Sequence, residues 1–209
     1  MKSLMLILWA TVPLGATAYH LGPGQERLRV DDAAHLVDEA MGHVLAAEVL
    51  GEDDPDSRVE WLLAEAAYAD ALELLPEENT HALRSARLER SKCKMQISKL
   101  PEASAELTSL VAELVDDPNA DPALLSEARR ASASANYYMT WLTRLEGASR
   151  EQWEPRIEAS RQVYKQLVAD AATNGSAADL ASAREDLEAA VRLGRMDLGE
   201  LQGLPLPSQ

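Results

Sequence analysis

Residues 101–122 read PEASAELTSLVAELVDDPNADP, and this stretch decides the fold class. Pro101 is tolerated in the first turn of a helix, and apolar residues recur after it at a helical spacing. A short loop rich in Asp, Pro and Asn follows, and Asp121 with Pro122 then supplies the cap and the first residue of another helix. The stretch predicts an amphipathic helix and its antiparallel neighbour, with one apolar stripe made of Ala103, Leu107, Leu110, Val111 and Leu114.

The same combination of apolar stripe and end signals recurs along most of the chain. It predicts seven helices that begin near Asp31, Asp56 or Ser57, Asn79 or Thr80, Pro101, Asp121, Ser149 and Ser176. Because the connecting loops are short, consecutive helices are expected to fold back on each other as antiparallel hairpins. The predicted fold class is all-α, with about seven helices after an N-terminal signal segment.

Composition limits what this protein can do. The 209 residues include 35 acidic and 20 basic side chains, which gives a net charge of −15, and only 4% of residues are aromatic. Phosphate repels such a surface, so we expect no nucleic-acid partner. The single cysteine excludes an intramolecular disulfide and any site that needs several cysteine ligands.

The N-terminus has the three parts of a secretory signal. Lys2 supplies a positive charge, residues 4–10 are apolar, and small residues precede a cleavage position after Ala18. We therefore expect an exported protein of a bacterial-type cell envelope, located in the periplasm. The alternative is an uncleaved membrane anchor formed by residues 4–18, although this segment is short for a spanning helix.

The chain is predicted to divide into four parts. Residues 1–18 form the signal peptide or anchor, and residues 19–30 form a linker, because they contain turn residues and no periodicity. Residues 31–194 form the helical-hairpin domain. Residues 195–209 are expected to be a flexible tail, since they end in a Leu- and Pro-containing segment.

The second predicted helix carries a spaced set of small and aromatic residues. Ala64, Tyr68 and Ala71 are followed by a closing Pro76. This spacing resembles the second helix and exit of a tetratricopeptide repeat (TPR). The resemblance implies TPR-like stacking of the hairpins into a scaffold that binds protein segments and has no chemistry of its own. The preceding helix lacks the aromatic positions of that family, and no period of about 34 residues runs through the chain.

The third predicted helix is the most basic part of the sequence. Residues 79–100 contain six basic side chains and one acid, Glu89. On a helical wheel Leu88 and Met95 share one face, within a basic rim that suits an acidic peptide or a chain-terminal carboxylate. The predicted partner-binding residues are Arg84, Arg87, Leu88, Ser91, Lys92, Lys94, Met95 and Lys99. The alternative is a solvated face that balances the protein's own acids, with both apolar side chains packed on a neighbouring hairpin.

Motifs that carry chemistry are missing from the sequence. There is no Gly-rich phosphate loop, no nucleophile elbow and no His-Glu-x-x-His pair, so we expect neither an enzyme nor a cofactor. His35, Glu39 and His43 recur at a helical spacing and support only a weak hypothesis of metal binding. Cys93 lies on the apolar stripe of the third helix, on the opposite side from Leu88 and Met95, and this position predicts a partly buried thiol.

These observations predict a non-catalytic protein–protein interaction or scaffold module of the cell envelope, which binds an acidic or C-terminal peptide segment on its basic helix. A second interpretation is a structural helical bundle that self-associates without a dedicated peptide groove. The third is the weak metal- or ligand-binding bundle. The expected partners are proteins, with membrane contact only through the N-terminal segment if it stays uncleaved, and a homo-oligomer is left open.

Overall fold

A computed structural model describes residues 23–51, 53–77 and 80–203, and its secondary structure over these residues is helical throughout, without strands. The predicted all-α class is therefore confirmed. The predicted signal segment lies outside the described residues. Within the described residues there are eight helices: α1 (Pro23–Leu50), α2 (Pro55–Leu74), α3 (Thr80–Gln96), α4 (Leu100–Asp116), α5 (Pro122–Leu145), α6 (Arg150–Asn174), α7 (Ala177–Arg195) and α8 (Leu198–Gln202).

Side-chain caps begin several of these helices. The carboxylate of Asp121 accepts a hydrogen bond from the backbone of Ala123 at 2.9 Å, with Pro122 at the first helical position of α5, as predicted. At the start of α6 the side chain of Gln152 accepts from the backbone N–H of Ser149, which forms a capping box at the predicted start of this helix. The α2 cap is Asp54, just before the predicted position.

Two segments are more helical than the sequence suggested. α1 begins at Pro23, so residues 23–30 extend the helix instead of belonging to a linker. Proline fits the first turn because its missing N–H has no partner there, and Val30 is partly buried. Within the predicted flexible tail, α8 forms at Leu198–Gln202 and buries Leu201 completely in the core of the C-terminal helices.

Each long helix packs on the next one along the chain. α3 also contacts α5, and α5 also contacts α7 and α8. The core follows the chain in three clusters, one at α1–α3, one at α3–α5 and one at α5–α8. Among the described residues no helix combines the length and the apolarity that crossing a bilayer would require.

Alanines hold the first hairpin together. Ala33, Ala40 and Ala47 on α1 are buried and recur at intervals of seven residues, opposite Ala64 and Ala71 on α2. Small side chains let two helix backbones approach closely, but each buries little apolar area. The larger apolar side chains of this hairpin therefore remain available on its other faces.

Candidate functional site

The cations of the basic helix are paired with acids of the same chain. Arg84 lies 2.8 Å from Glu113 and 2.6 Å from Asp117, and Arg87 lies 2.6 Å from Glu113. The remaining pairs join Arg90 and Lys99 to Glu65, Lys92 to Glu89 and Glu127, and Lys94 to Glu106. All six basic residues of segment 79–100 thus have a carboxylate partner.

These ion pairs shift the acids toward the charged state. Hydrogen bonds from Arg84 hold the pKa of Glu113 below its ordinary value, and Arg87 adds to this effect while burial opposes it. At Glu65 burial acts to raise the pKa, but hydrogen bonds from Lys99 and Arg90 outweigh it, so the pKa is lowered. The basic helix therefore serves first to neutralise acids of α2, α4 and α5.

The apolar centre of the predicted partner site is not accessible. Leu88 has no exposed surface and packs with Leu107 and Ala128, and Met95 packs against the same cluster. Ser91 is also buried, and its hydroxyl donates to the carbonyl of Arg87. Leu88 is therefore a core residue and not an accessible partner contact, as the alternative of packed apolar side chains predicted, because α4 and α5 cover the face of α3 that lies opposite α2. Binding of a partner by the remaining residues of that set stays a prediction.

The histidines of α1 do not form a metal centre. His43 Nδ1 lies 2.6 Å from Glu60 on α2, whereas His35 is exposed. Over the described ranges, no three His, Cys, Asp or Glu side chains are placed to hold a metal ion. This overturns the weak metal hypothesis. Cys93 is buried, and burial, with smaller effects of Glu89 and Glu65, raises the pKa of its thiol to about 12, so the reactive thiolate is scarce at neutral pH.

An open apolar groove lies between α1 and α3, both of which pack along α2. Its volume is about 440 Å³. α1 contributes one wall, α3 the other, and Tyr68 and Leu75 come from α2. The remaining lining residues are Val30, Ala33, Ala34, Val37, Asp38, Met41, His81, Ala82, Ser85, Ala86 and Glu89.

Small side chains make room for this groove. Ala33 and Ala34 on α1 lie across from Ala82 and Ala86 on α3, so neither wall fills the space between the helices. Met41 lies in the same groove with 47% of its surface exposed. The lining contains few polar side chains, and its two acidic residues are Asp38 on the α1 wall and Glu89 on the α3 wall.

Sequence reasoning missed the groove. The sequence predicts the first helix as one half of a hairpin, whereas the groove uses a second stripe on α1, beside its buried alanines, made of Val30, Ala34, Val37 and Met41. This second stripe is visible in the sequence as apolar residues at helical spacing. What the sequence does not show is that α3 leaves that stripe uncovered.

A second recess lies along α7 and α8. It is larger, about 810 Å³, but more open, and charged side chains line it together with Leu187, Val191 and Met196. Those charges are of both signs, from Glu188, Arg192, Arg195 and Glu200. The mixed lining gives no preference for a particular ligand, so the α1–α3 groove is the better-defined candidate site.

Exposed apolar side chains concentrate on the first hairpin. Within the part of the chain that the structure describes, α1 and α2 carry most of the large apolar residues with substantial exposure: Leu28, Met41, Leu45, Val49, Leu50, Val59, Leu62 and Leu63. The corresponding residues elsewhere are Val115 and Leu198. Such a concentration on one element marks a surface that favours contact with another molecule.

Comparison with known proteins adds no relative to this picture. The TPR resemblance accordingly stays a prediction, and the function has to be inferred from the geometry of this chain. The chain matches no protein-family model, no curated protein and no solved structure.

Proposed function

We propose that this chain is a non-catalytic protein-interaction module of the cell envelope. Its hairpins stack in a TPR-like manner, and the groove between α1 and α3 holds a segment of another protein. The observation that carries the proposal is this open apolar groove of about 440 Å³, bounded by the first helices of two successive hairpins.

The pattern of helix contacts supports the stacking. The second helix of each hairpin packs on the first helix of the next, as α2 does on α3 and α4 on α5. First helices also contact each other, α3 with α5 and α5 with α7. Stacked helical repeats use such nearest-neighbour contacts and present an extended concave surface for binding. α1 and α3 are first helices and line the proposed site.

The lining suits a protein segment. Its apolar surface comes from both walls and from α2, and the ionisable side chains of the two walls are Asp38, His81 and Glu89. A peptide that inserts apolar side chains into such a groove gains affinity from their burial, while its polar edges remain in water.

The groove is a better site than the basic face of α3. An acidic segment that binds there has to compete with carboxylates already held by the cations, such as Glu106 at 2.6 Å from Lys94. Those carboxylates belong to the same chain, so their effective concentration is high. The apolar groove has no such internal competitor among the described residues.

Location in the envelope is the part of the proposal that rests on the N-terminus. The support is the arrangement of Lys2, residues 4–10 and Ala18, which is typical of a signal. Determination of the N-terminal residue of the protein isolated from its native source tests it. A start at Tyr19 is expected, and an intact Met1 in a soluble cytoplasmic fraction would contradict it.

A pull-down from envelope extract tests the binding function, with the full chain as bait. Met41→Glu places a charge in the groove and should abolish partner capture. Val115→Glu is the matched control, because Val115 is similarly exposed, at 54%, but lies on α4 outside the groove. Equal capture by both variants would refute the groove as the binding site.

Self-association is the second candidate function. The observation in its favour is the set of exposed apolar residues on the first hairpin that do not line the groove, such as Val59, Leu62 and Leu63. The end hairpin of a stack usually has a polar outer face, whereas this one also exposes these large apolar side chains. Sedimentation equilibrium of the full chain tests it: a dimer that Leu63→Gln dissociates supports the structural function, and a monomer at all concentrations rejects it.

A further inference from the structure

We infer that the segment held in the α1–α3 groove is an amphipathic helix whose apolar stripe is flanked by Lys and Arg residues. This inference rests on the proposed function and names the class of partner.

The shape of the groove favours a helix. Its two walls are helices, and Ala34 and Ala82 on opposite walls allow a third backbone to come close. A helix presents apolar side chains at i, i+3, i+4 and i+7 along one side, which matches a trough that is apolar along its length. An extended strand would gain no backbone pairing, because helical walls offer no free sheet edge.

The charges at the groove favour a cationic helix. Asp38 on the α1 wall is exposed and has no ion-pair partner among the described residues. On the α3 wall Glu89 shares the ammonium of Lys92 with Glu127, so two carboxylates surround one cation. The lining therefore contains two carboxylates, one on each wall, Asp38 and Glu89.

Among the described residues, no Lys or Arg side chain lines the groove to offset these carboxylates. The hydroxyl of Tyr68 stays protonated, because burial, with Glu89 adding to the effect, raises its pKa well above the ordinary value. His81 is the remaining ionisable group of the lining. The rest of the protein strengthens the field, since the whole chain has a net charge of −15. Opposite charge at the rim steers a partner and fixes its register.

Synthetic peptides test this inference with the full chain. Three labelled peptides of about five helical turns are compared. Two have the same leucine stripe at i, i+3, i+4 and i+7, flanked by Lys in one and by Glu in the other, and the third has the composition of the Lys peptide with its leucine positions scrambled. Their affinities are measured by fluorescence anisotropy at low salt. We expect the ordered Lys peptide to bind at least about 10-fold more tightly than each of the other two, and added salt to reduce its advantage over the Glu peptide.

Charge reversals locate the effect. Asp38→Lys should weaken binding of the Lys peptide several-fold and strengthen binding of the Glu peptide. Asp70→Lys is the matched control, because Asp70 is also an exposed aspartate within a helix of the first hairpin but does not line the groove. Equal effects of the two reversals would overturn the inferred charge preference.

A groove variant separates failure of this inference from failure of the proposed function. If the Glu peptide binds as tightly as the Lys peptide and Met41→Glu abolishes both while Val115→Glu does not, the groove binds helices and the charge preference is wrong. If Met41→Glu and Val115→Glu behave alike toward the peptides, or if no peptide binds, the inferred helical partner is wrong, and the proposed function then stands or falls on the pull-down with the same two variants. Circular dichroism of each variant verifies that the fold is retained.

Discussion

The guanidinium of Arg84 on α3 lies 2.8 Å from the carboxylate of Glu113 on α4, and the same side chain reaches Asp117 at 2.6 Å. Only 12% of the Arg84 side chain is exposed. The most basic helix of the chain is thus joined to its neighbour by charge-assisted hydrogen bonds. The charges of this helix are already paired within the fold, so a partner would have to compete for them.

Neutralising Arg84 should therefore lower stability. Arg84→Gln removes two ion pairs and leaves the carboxylates of Glu113 and Asp117 close together, so the urea midpoint should fall measurably. Arg150→Gln is the control, because the Arg150 side chain is 69% exposed and pairs with Glu154 on the same helix. Equal midpoints for the two variants would show that the α3–α4 pairs add nothing to the fold.

Truncation of Leu88 distinguishes a core residue from a partner contact. Leu88 has no exposed surface, so Leu88→Ala should cost about 2–5 kcal/mol of unfolding free energy. Val115→Ala, at an exposed position on α4, should change it by less than about 0.5 kcal/mol. Both values come from urea titrations followed by circular dichroism. A negligible loss for Leu88→Ala would mean that this side chain lies at the surface.

Stability should fall in acid in part because of Glu65. Hydrogen bonds from Lys99 and Arg90, acting against burial, put its pKa below the ordinary value of 4.5. A lowered pKa in the folded state contributes stability that is fully present above pH 4.5 and is lost as the pH falls through the lowered value. Glu65→Gln should therefore be less stable than the native chain near neutral pH, and the difference should shrink toward pH 3. A difference that is constant with pH would contradict this.

Two glycines should respond in opposite ways to substitution by alanine. Gly42 lies within α1 with no atom within 4 Å of an added Cβ, so Gly42→Ala should stabilise the chain by up to about 1 kcal/mol. At Gly175 an added Cβ would lie 2.8 Å from the backbone of Ala171, so Gly175→Ala should destabilise it. Thermal unfolding of both variants gives the comparison. Destabilisation by Gly42→Ala would indicate that another chain packs closely on α1.

The sequence correctly predicts features that depend on the residues of a single helix, namely its buried stripe and its cap. The stripe of Leu107, Leu110 and Leu114 is buried as expected, since helical period alone places these residues on one face. The caps Asp121 and Ser149 are also correct, because capping depends on residues within one turn.

Features that depend on several helices were not predictable in the same way. The helical wheel correctly separates Leu88 from Cys93, but it does not say that α4 and α5 cover the Leu88 side as α2 covers the other. The groove likewise depends on how far apart α1 and α3 lie, and the sequence of neither helix specifies that separation. The early start at Pro23 was missed because Pro and Gly indicate a loop as readily as a first turn.

Site-specific photocrosslinking in the native source is the most direct test that the α1–α3 groove binds a partner. A photoreactive residue replaces Ala34 in the groove, exposed Ala112 on α4 as the matched control, or Arg87 on the basic helix. The account predicts a crosslink to one other protein from Ala34 and none from Ala112 or Arg87. A crosslink to a partner from Arg87 without one from Ala34 would contradict it.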